Sequence, residues 1–370
     1  MIHLFEPWSI ENLRLENKIV IPPMCQYSAE HGKMTDWHRI HIGSMLKSGA
    51  GLFIVEATAV SPEGRITPYC VGLWNDETQE AMQKMLHSVR KYSSMPIAIQ
   101  LAHAGRKAST YEPWKAKEQA ERAIPPSDPL SWQTIAPSAL PYEPEDPIPQ
   151  AMSSDALERI KRAFVDSALR SEALGFQGIE LHMAHGYLFH EFLSPLTNKR
   201  DDQYGGSLEN RMRFPLEVYQ AVKEKISNTI PLWVRISATD WTENGWNLED
   251  SIVFCKALKK HGCPLIHVST GGLSPQQKIP AGPGFQVYFS QEIRKHASIP
   301  TIAVGLIDQA KQAETILACQ QADAVAIGRA ILANPHWPWI AAEQLNRKIH
   351  TAPQYWRGKT NPKADIFKIP

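Results

Sequence analysis

His182, His185 and Tyr187 stand in the order H-x-x-H-x-Y directly after a short apolar run over 178–182. If the chain turns right after Leu181, both imidazoles face one substrate oxygen. Neutral rings donate N–H bonds to a carbonyl and tighten them as negative charge develops there. Tyr187 then supplies a proton that imidazoles committed to that oxygen cannot easily deliver. A lone histidine here would usually be a satisfied structural group, but the three-residue set points to chemistry. A second group reads as a phosphate clamp. Gly305 and Gly328 each follow a short apolar run, and Arg329 follows the latter. Glycine admits close backbone approach, and a guanidinium adds paired charge-assisted bonds. Arg235 can reach across to an electron-rich part of the same phosphate-bearing cofactor. Cys25 and Tyr27 leave another such run; a free cysteine is more often a small buried hydrophobe than a nucleophile. Tyr27 either lines the pocket or packs. Two histidines also invite a metal, but a catalytic zinc wants a third protein ligand and an open position. Asp201 and Asp202 are available, yet no HxH or HExxH spacing accompanies them, so no metal is expected.

What positions these groups is a repeating unit. Short, near-continuously apolar runs lie at 18–21, 51–59, 96–103, 178–182, 231–237, 265–269, 301–304 and 324–327. Such runs suit strands buried on both faces of a parallel sheet. Helical patterns fall at 37–47, 76–92, 155–174, 208–226, 248–260, 286–296, 309–319 and 337–345. Asp155 is placed to cap the third of these and Gly175 to end it. Pro215 predicts a kink in the fourth, or a helix that starts near it. Eight strand–helix units predict a (β/α)₈ barrel, whose sites gather at the carboxyl ends of the strands. A doubly wound sheet is the alternative, but no G-x-G-x-x-G opens a helix after an early strand. Gly49-Ala50-Gly51 precedes a strand instead.

The chain has 370 residues, 39 basic against 38 acidic, for a net charge of +1. That balance supplies no broad field for nucleic acid or anionic membrane. Five scattered cysteines build neither a disulfide framework nor a metal cluster and suit a reducing compartment. The first residues lack a secretion-signal pattern, and no apolar window is long enough to span a bilayer, so a cytoplasmic protein is expected. Residues 111–149 carry nine prolines and seven acidic residues, a composition that resists continuous helix or sheet. A loop this long after the third strand is read as an excursion whose base frames the pocket, with a lid or small hairpin.

Taken together, NKIVIPPMCQY (17–27), EATAVSPEGR (56–65), QLAHAGRK (100–107), the block from ELHMAHGY to ENRMRF (180–214), WVRIS (233–237) and AIGRAILANP (326–335) resemble the Old Yellow Enzyme family. The likeness is to its bacterial thermophilic-like branch of xenobiotic reductases and NADPH dehydrogenases, and covers nearly the whole chain. It implies one barrel domain over 1–370 holding noncovalent FMN. Pro23, Met24 and Cys25 match residues beside the flavin; Ala59 and Gln100 match ring contacts. Arg235 matches the N1/C2-oxygen or ribityl side, and Gly305, Gly328 and Arg329 match the phosphate end. His182 and His185 match the substrate-oxygen pair, Tyr187 the proton donor, Tyr27 a substrate-contacting tyrosine and Lys107 a pocket lysine.

The implied cycle has NADPH reduce the flavin, which then gives hydride to the β-carbon of an activated alkene while Tyr187 protonates the α-carbon. Cys25 would tune the flavin and contact substrate without forming a covalent bond. The tail over 351–370, with Tyr355, Trp356 and Arg357, resembles one that enters a neighbouring active site, implying a homodimer or dimer-based homotetramer. Enones, enals, maleimides and nitro compounds are the implied substrates. A family dehydrogenase or demethylase for another small substrate, and a flavin-binding sensor without turnover, are the alternatives.

Overall fold

The computed structural model describes residues 3–359 and 364–368. Eight parallel strands close into a barrel: β1 (Ile19–Ile21), β2 (Leu52–Ala59), β3 (Ile97–Ala102), β4 (Ile179–Met183), β5 (Leu232–Ser237), β6 (Ile266–Ser269), β7 (Thr301–Ala303) and β8 (Ala324–Ala326). Every residue of these strands is buried, because helices cover the outer face and side chains fill the inner one. The expected barrel is therefore the fold, and each expected run supplies one strand. A two-strand hairpin, Trp8–Ile10 with Leu13–Leu15, precedes β1 and was not anticipated.

The helices follow the apolar periodicity within a residue or two at their ends, with two differences. Ser153, and not Asp155, caps helix Ser154–Ala173 by accepting the Ala156 N–H at 3.2 Å. Asp155 sits inside the first turn, and Gly175 follows the helix with φ +74. Pro215 neither starts nor breaks helix Leu208–Lys225. Ser207 sets the start by accepting the Asn210 N–H, and Phe214 packs on Phe192 with ring centroids 4.7 Å apart. That buried face holds the helix through the proline.

The proline-rich excursion is ordered without a hairpin. It holds a short helix, Pro113–Gln119, and Ile135–Ala136 pairs with Gln150–Ala151 in parallel. Prolines remove the donors that a hairpin ladder would need, so side chains do the fastening. Arg106 donates to the Pro141 carbonyl at 2.8 Å, Arg200 to those of Pro137 and Met152, and Trp132 to that of Glu63. Arg122 is paired with Asp146.

The tail packs at the amino-terminal end of the barrel. Residues 350–353 line a cavity of about 360 Å³ with Gly49, Gly51 and Pro96, where β2 and β3 begin. Lys47 donates to the Tyr355 hydroxyl at 2.8 Å, and Trp356 donates to the Thr351 carbonyl. Residues 360–363 and 369–370 of the tail lie outside the described residues.

Candidate active site

The H-x-x-H-x-Y segment leaves β4 in a tight turn fixed from every side. The Ala184 N–H donates to His182 Nδ1 at 3.2 Å, and the His185 N–H to Ser237 Oγ at 2.9 Å. The Gly186 N–H donates to His190 Nδ1 at 2.9 Å. His190 Nε2 lies 2.8 Å from Asp240 Oδ1, both side chains fully buried. Asp240 also accepts from Ser194 Oγ and the Trp246 N–H, at 2.7 Å each. Gly186 has φ +73, and a Cβ there would lie 2.2 Å from the Gly272 carbonyl oxygen. A Cβ on Gly272 would lie 2.6 Å from His185 Cα, so the two backbones interlock through their glycines. Lys107 Nζ bridges them by donating to the His185 and Gly272 carbonyls at 2.9 and 2.7 Å.

Both site histidines are neutral. Burial, then the Arg235 charge, push each well below the usual imidazole range. His182 accepts at Nδ1, so its proton sits on Nε2, 3.4 Å from His185 Nδ1. The same logic puts the His185 proton on Nε2, which lies 2.7 Å from Ser269 Oγ. Tyr187 meets His182 edge to face, centroids 5.0 Å apart. Burial, then Cys25, push its phenol up, and Lys107 Nζ lies 5.3 Å from its ring centre. Burial, then Arg122, push Lys107 down to about 7. Tyr27, at φ +49, is pushed up by burial, then by Cys25 and Tyr187. Burial, then Cys70 and Glu56, raise the Cys25 thiol well above its usual value, so it stays protonated and is no ready nucleophile.

The phosphate-like end opens into the same space. A cavity of about 510 Å³ is lined by His185, Arg235, Ser269, Gly305, Gly328 and Arg329, among others. Gly305 needs its glycine: φ is +125, and a Cβ would lie 2.9 Å from Gln286 Nε2. At Gly328 a Cβ would make only ordinary contacts, with Pro22 and Met24 Sδ, which brings the exits of β8 and β1 together. Arg329 begins the short helix Arg329–Ala333 and lies exposed at the rim. Arg235 is buried with no partner for Nε among the described residues. An unpaired guanidinium nitrogen on a residue that lines this cavity fits an electron-rich group.

Of the remaining expected residues, four lie on β1, β2 and β3 or on the segment that leaves β1. Pro23 and Met24 are half-buried on the exit of β1. Ala59 ends β2 with its N–H and C=O both engaged, by Val71 and Leu73, so only its methyl is free for contact. Gln100 donates from Nε2 to Glu180 Oε1 at 2.7 Å. Trp356, by contrast, packs on the cluster of Trp339, Ile349, Ile366 and Phe367 and donates to Thr351, which lines the cavity at the start of β2 and β3. Among the described residues, no group of three or more metal-ligating side chains gathers, and no helix is long and apolar enough to cross a membrane.

Sequence reading missed Ser237, Ser269, the His190–Asp240 pair, and two carboxylates inside the barrel wall, Glu56 and Glu180. Each carboxylate interrupts an apolar strand, which was the available signal. Glu56 accepts the Gln26 N–H at 2.9 Å and so orders the segment bearing Cys25 and Tyr27. Burial raises its carboxyl from 4.5 to about 8. Between those values the folded protein holds the proton that the unfolded chain has lost. The associated stability is thus complete below pH 4.5 and is lost as pH rises to about 8. Glu56→Gln is expected to match the parent at the acid end of that window and become progressively the more stable towards pH 8. Denaturant midpoints across the window check this; parallel curves would refute it.

A sequence profile of the NADH:flavin oxidoreductase / NADH oxidase family matches residues 3–348. An NADPH dehydrogenase of Bacillus cytotoxicus is 44% identical over 356 residues, covering 96% of each chain. Morphinone reductase superposes with TM-score 0.75 at 27% identity, over 99% of this chain and 96% of that one. A 2-naphthoyl-CoA reductase chain, about half of which (52%) is covered, gives TM-score 0.82 at 23% identity, a likeness of fold alone. With the two-histidine turn and the phosphate-like clamp on one barrel mouth, the chain belongs to the NADH:flavin oxidoreductase / NADH oxidase family, that of Old Yellow Enzyme, and is an FMN-dependent oxidoreductase.

Proposed function

We propose that this enzyme takes electrons from NADPH and reduces activated carbon–carbon double bonds of enones, enals and maleimides, as well as nitro compounds. The observation that carries the reading is one cavity that joins His185, and through it His182, to Arg235, Gly305 and Arg329. Gly305, Gly328 and Arg329 would hold the phosphate of FMN there, and Arg235 its N1/C2-oxygen side. Pro23, Met24, Cys25, Ala59 and Gln100 would surround the ring. Bound FMN supplies the redox chemistry, accepting electrons from NADPH and returning a hydride to the substrate β-carbon. His182 and His185 hold the substrate oxygen with neutral N–H donors, and Tyr187 gives a proton to the α-carbon. Tyr27 and Lys107 would line the substrate pocket, and the protonated Cys25 thiol would tune the ring from beside it.

The test is anaerobic stopped-flow of the flavin-loaded enzyme, first with NADPH or NADH and then with cyclohexenone. NADPH should bleach the flavin and the enone should restore its colour; bleaching without recovery would reject the reductase reading. Arg329→Ala is expected to weaken FMN binding roughly tenfold to a hundredfold, the worth of a hydrogen bond to a charged group. Fluorescence titration of flavin-free protein checks this, and undiminished affinity would remove Arg329 from the clamp.

The same reading takes residues 1–370 as one domain of a cytoplasmic homodimer or dimer-based homotetramer, with Trp356 and Arg357 serving the neighbouring site. Support for the last point is that the tail packs beside Lys47, away from its own mouth.

A further inference from the structure

Beneath the two-histidine turn lies a second polar layer inside the barrel. Glu180 on β4 is fully buried, and its carboxylate accepts three hydrogen bonds. Gln100 Nε2 on β3 donates to Oε1 at 2.7 Å. Trp233 Nε1 on β5 and His267 Nδ1 on β6 donate to Oε2 at 2.7 and 2.8 Å. One carboxylate thus ties four strands, which only an inward-pointing side chain can do. Side chains of a strand alternate faces, so His182, two residues on, also points inward, one layer nearer the mouth. Arg235 pairs in register with His182 on one side and His267 on the other. The layer is built for this contact: a Cβ on Gly178 would lie 2.4 Å from the Trp233 ring, so glycine is what admits the indole.

We propose that Glu180 is a positioning residue for the flavin: it fixes the Gln100 amide and places a negative charge under Arg235, setting the reduction potential of bound FMN. The inference rests on the flavin placement proposed above. With Nε2 committed to Glu180, the Gln100 amide has one orientation, and its carbonyl oxygen is left for a cofactor N–H. Burial alone would push the Glu180 carboxyl up, but His267, Arg235 and the Trp233 N–H outweigh it and hold it ionised. Burial pulls the Arg235 guanidinium down, and the Glu180 charge is the largest influence opposing it. A fixed anion in this low-dielectric layer disfavours electron density on the ring above it, and its removal favours the reduced form.

The experiment is spectroelectrochemical titration of the holoenzyme. Glu180→Gln, which deletes the charge and keeps the shape, is expected to shift the oxidised-to-reduced ratio about tenfold towards reduced flavin, roughly 30 mV for a two-electron couple. Glu180→Asp keeps the charge but withdraws it from Gln100. It should hold the parent's potential while changing the flavin absorption spectrum and weakening FMN affinity several-fold. A packing role alone would not separate the two variants in this way. A parent-like potential in Glu180→Gln would overturn the proposal. Should that variant not fold, Glu180→Asp decides: a parent spectrum and a parent affinity would overturn it. Gln100→Ala separates the two layers of inference. If it changes neither spectrum nor affinity, the flavin placement falls and this proposal with it. If it changes both while the Glu180 variants change nothing, this proposal falls alone.

Discussion

Tyr187→Phe is expected to slow alkene reduction by about 10²- to 10⁴-fold, the usual worth of a positioned general acid, while leaving flavin reduction by NADPH at the parent rate. Burial keeps the phenol protonated across the working pH range, so it is always loaded with a proton. It is also a weak acid and gives that proton up only to a strongly basic centre, such as a developing carbanion. Lys107, 5.3 Å from the ring centre and pushed down to about 7 by burial, favours the phenolate left behind whenever it carries its proton. Edge-to-face packing on His182 fixes where the hydroxyl sits relative to the oxygen clamp. Stopped-flow traces of the two half-reactions, recorded separately, measure the effect. A quinone, whose oxygens can take protons from water, is an internal control and should be reduced normally by the variant. An unchanged rate with cyclohexenone would remove Tyr187 from its role.

His182→Ala should cost on the order of 2–4 kcal/mol in the alkene step, as the loss of one oxyanion donor does elsewhere, or roughly 30- to 1,000-fold in rate. Phenol binding should weaken with it, because a phenolate oxygen uses the same N–H. The donor is prepared in advance: the Ala184 N–H occupies Nδ1 and burial forbids the second proton, so Nε2–H is the one donor the ring has. His185→Ala should act in the same direction and also strand the Ser269 hydroxyl now 2.7 Å away. The double variant should lose less than the sum, since both donors act on one oxygen. Titration with p-substituted phenols, followed by flavin absorbance, checks binding independently of turnover. Parent affinity and parent rate together would reject the clamp.

The barrel was legible because each strand is short, β-branched and buried on both faces, so its apolar run needs no long-range information to be seen. The residues at the strand exits were legible for the same reason, as positions counted from the end of a run. What stayed hidden were partners chosen by tertiary contact. Asp155 looked like the helix cap because it is the acidic residue at the start, yet Ser153 has the backbone angles to accept the N–H. Pro215 looked like a breaker, yet aromatic packing of Phe214 outweighs one lost backbone bond. Glu180 meets His267 across 87 residues and His190 meets Asp240 across 50, and no local spacing announces either pair. The excursion's proline content foretold irregularity but not a parallel pair, since that pairing depends on side-chain fastening from Arg106 and Arg200.

The glycine interlock between residues 186 and 272 has a consequence for how the molecule is made. A chain emerging from the ribosome displays both histidines long before the residues that will shape their turn have been synthesised. Native curvature there waits for β6 and the backbone that follows it, a contact of large sequence separation and therefore slow to form. An amino-terminal half-barrel would thus carry the right letters without the right angles. Closure of the two-histidine turn is a late product of folding in this protein, and fragment complementation rather than truncation is the way to dissect it.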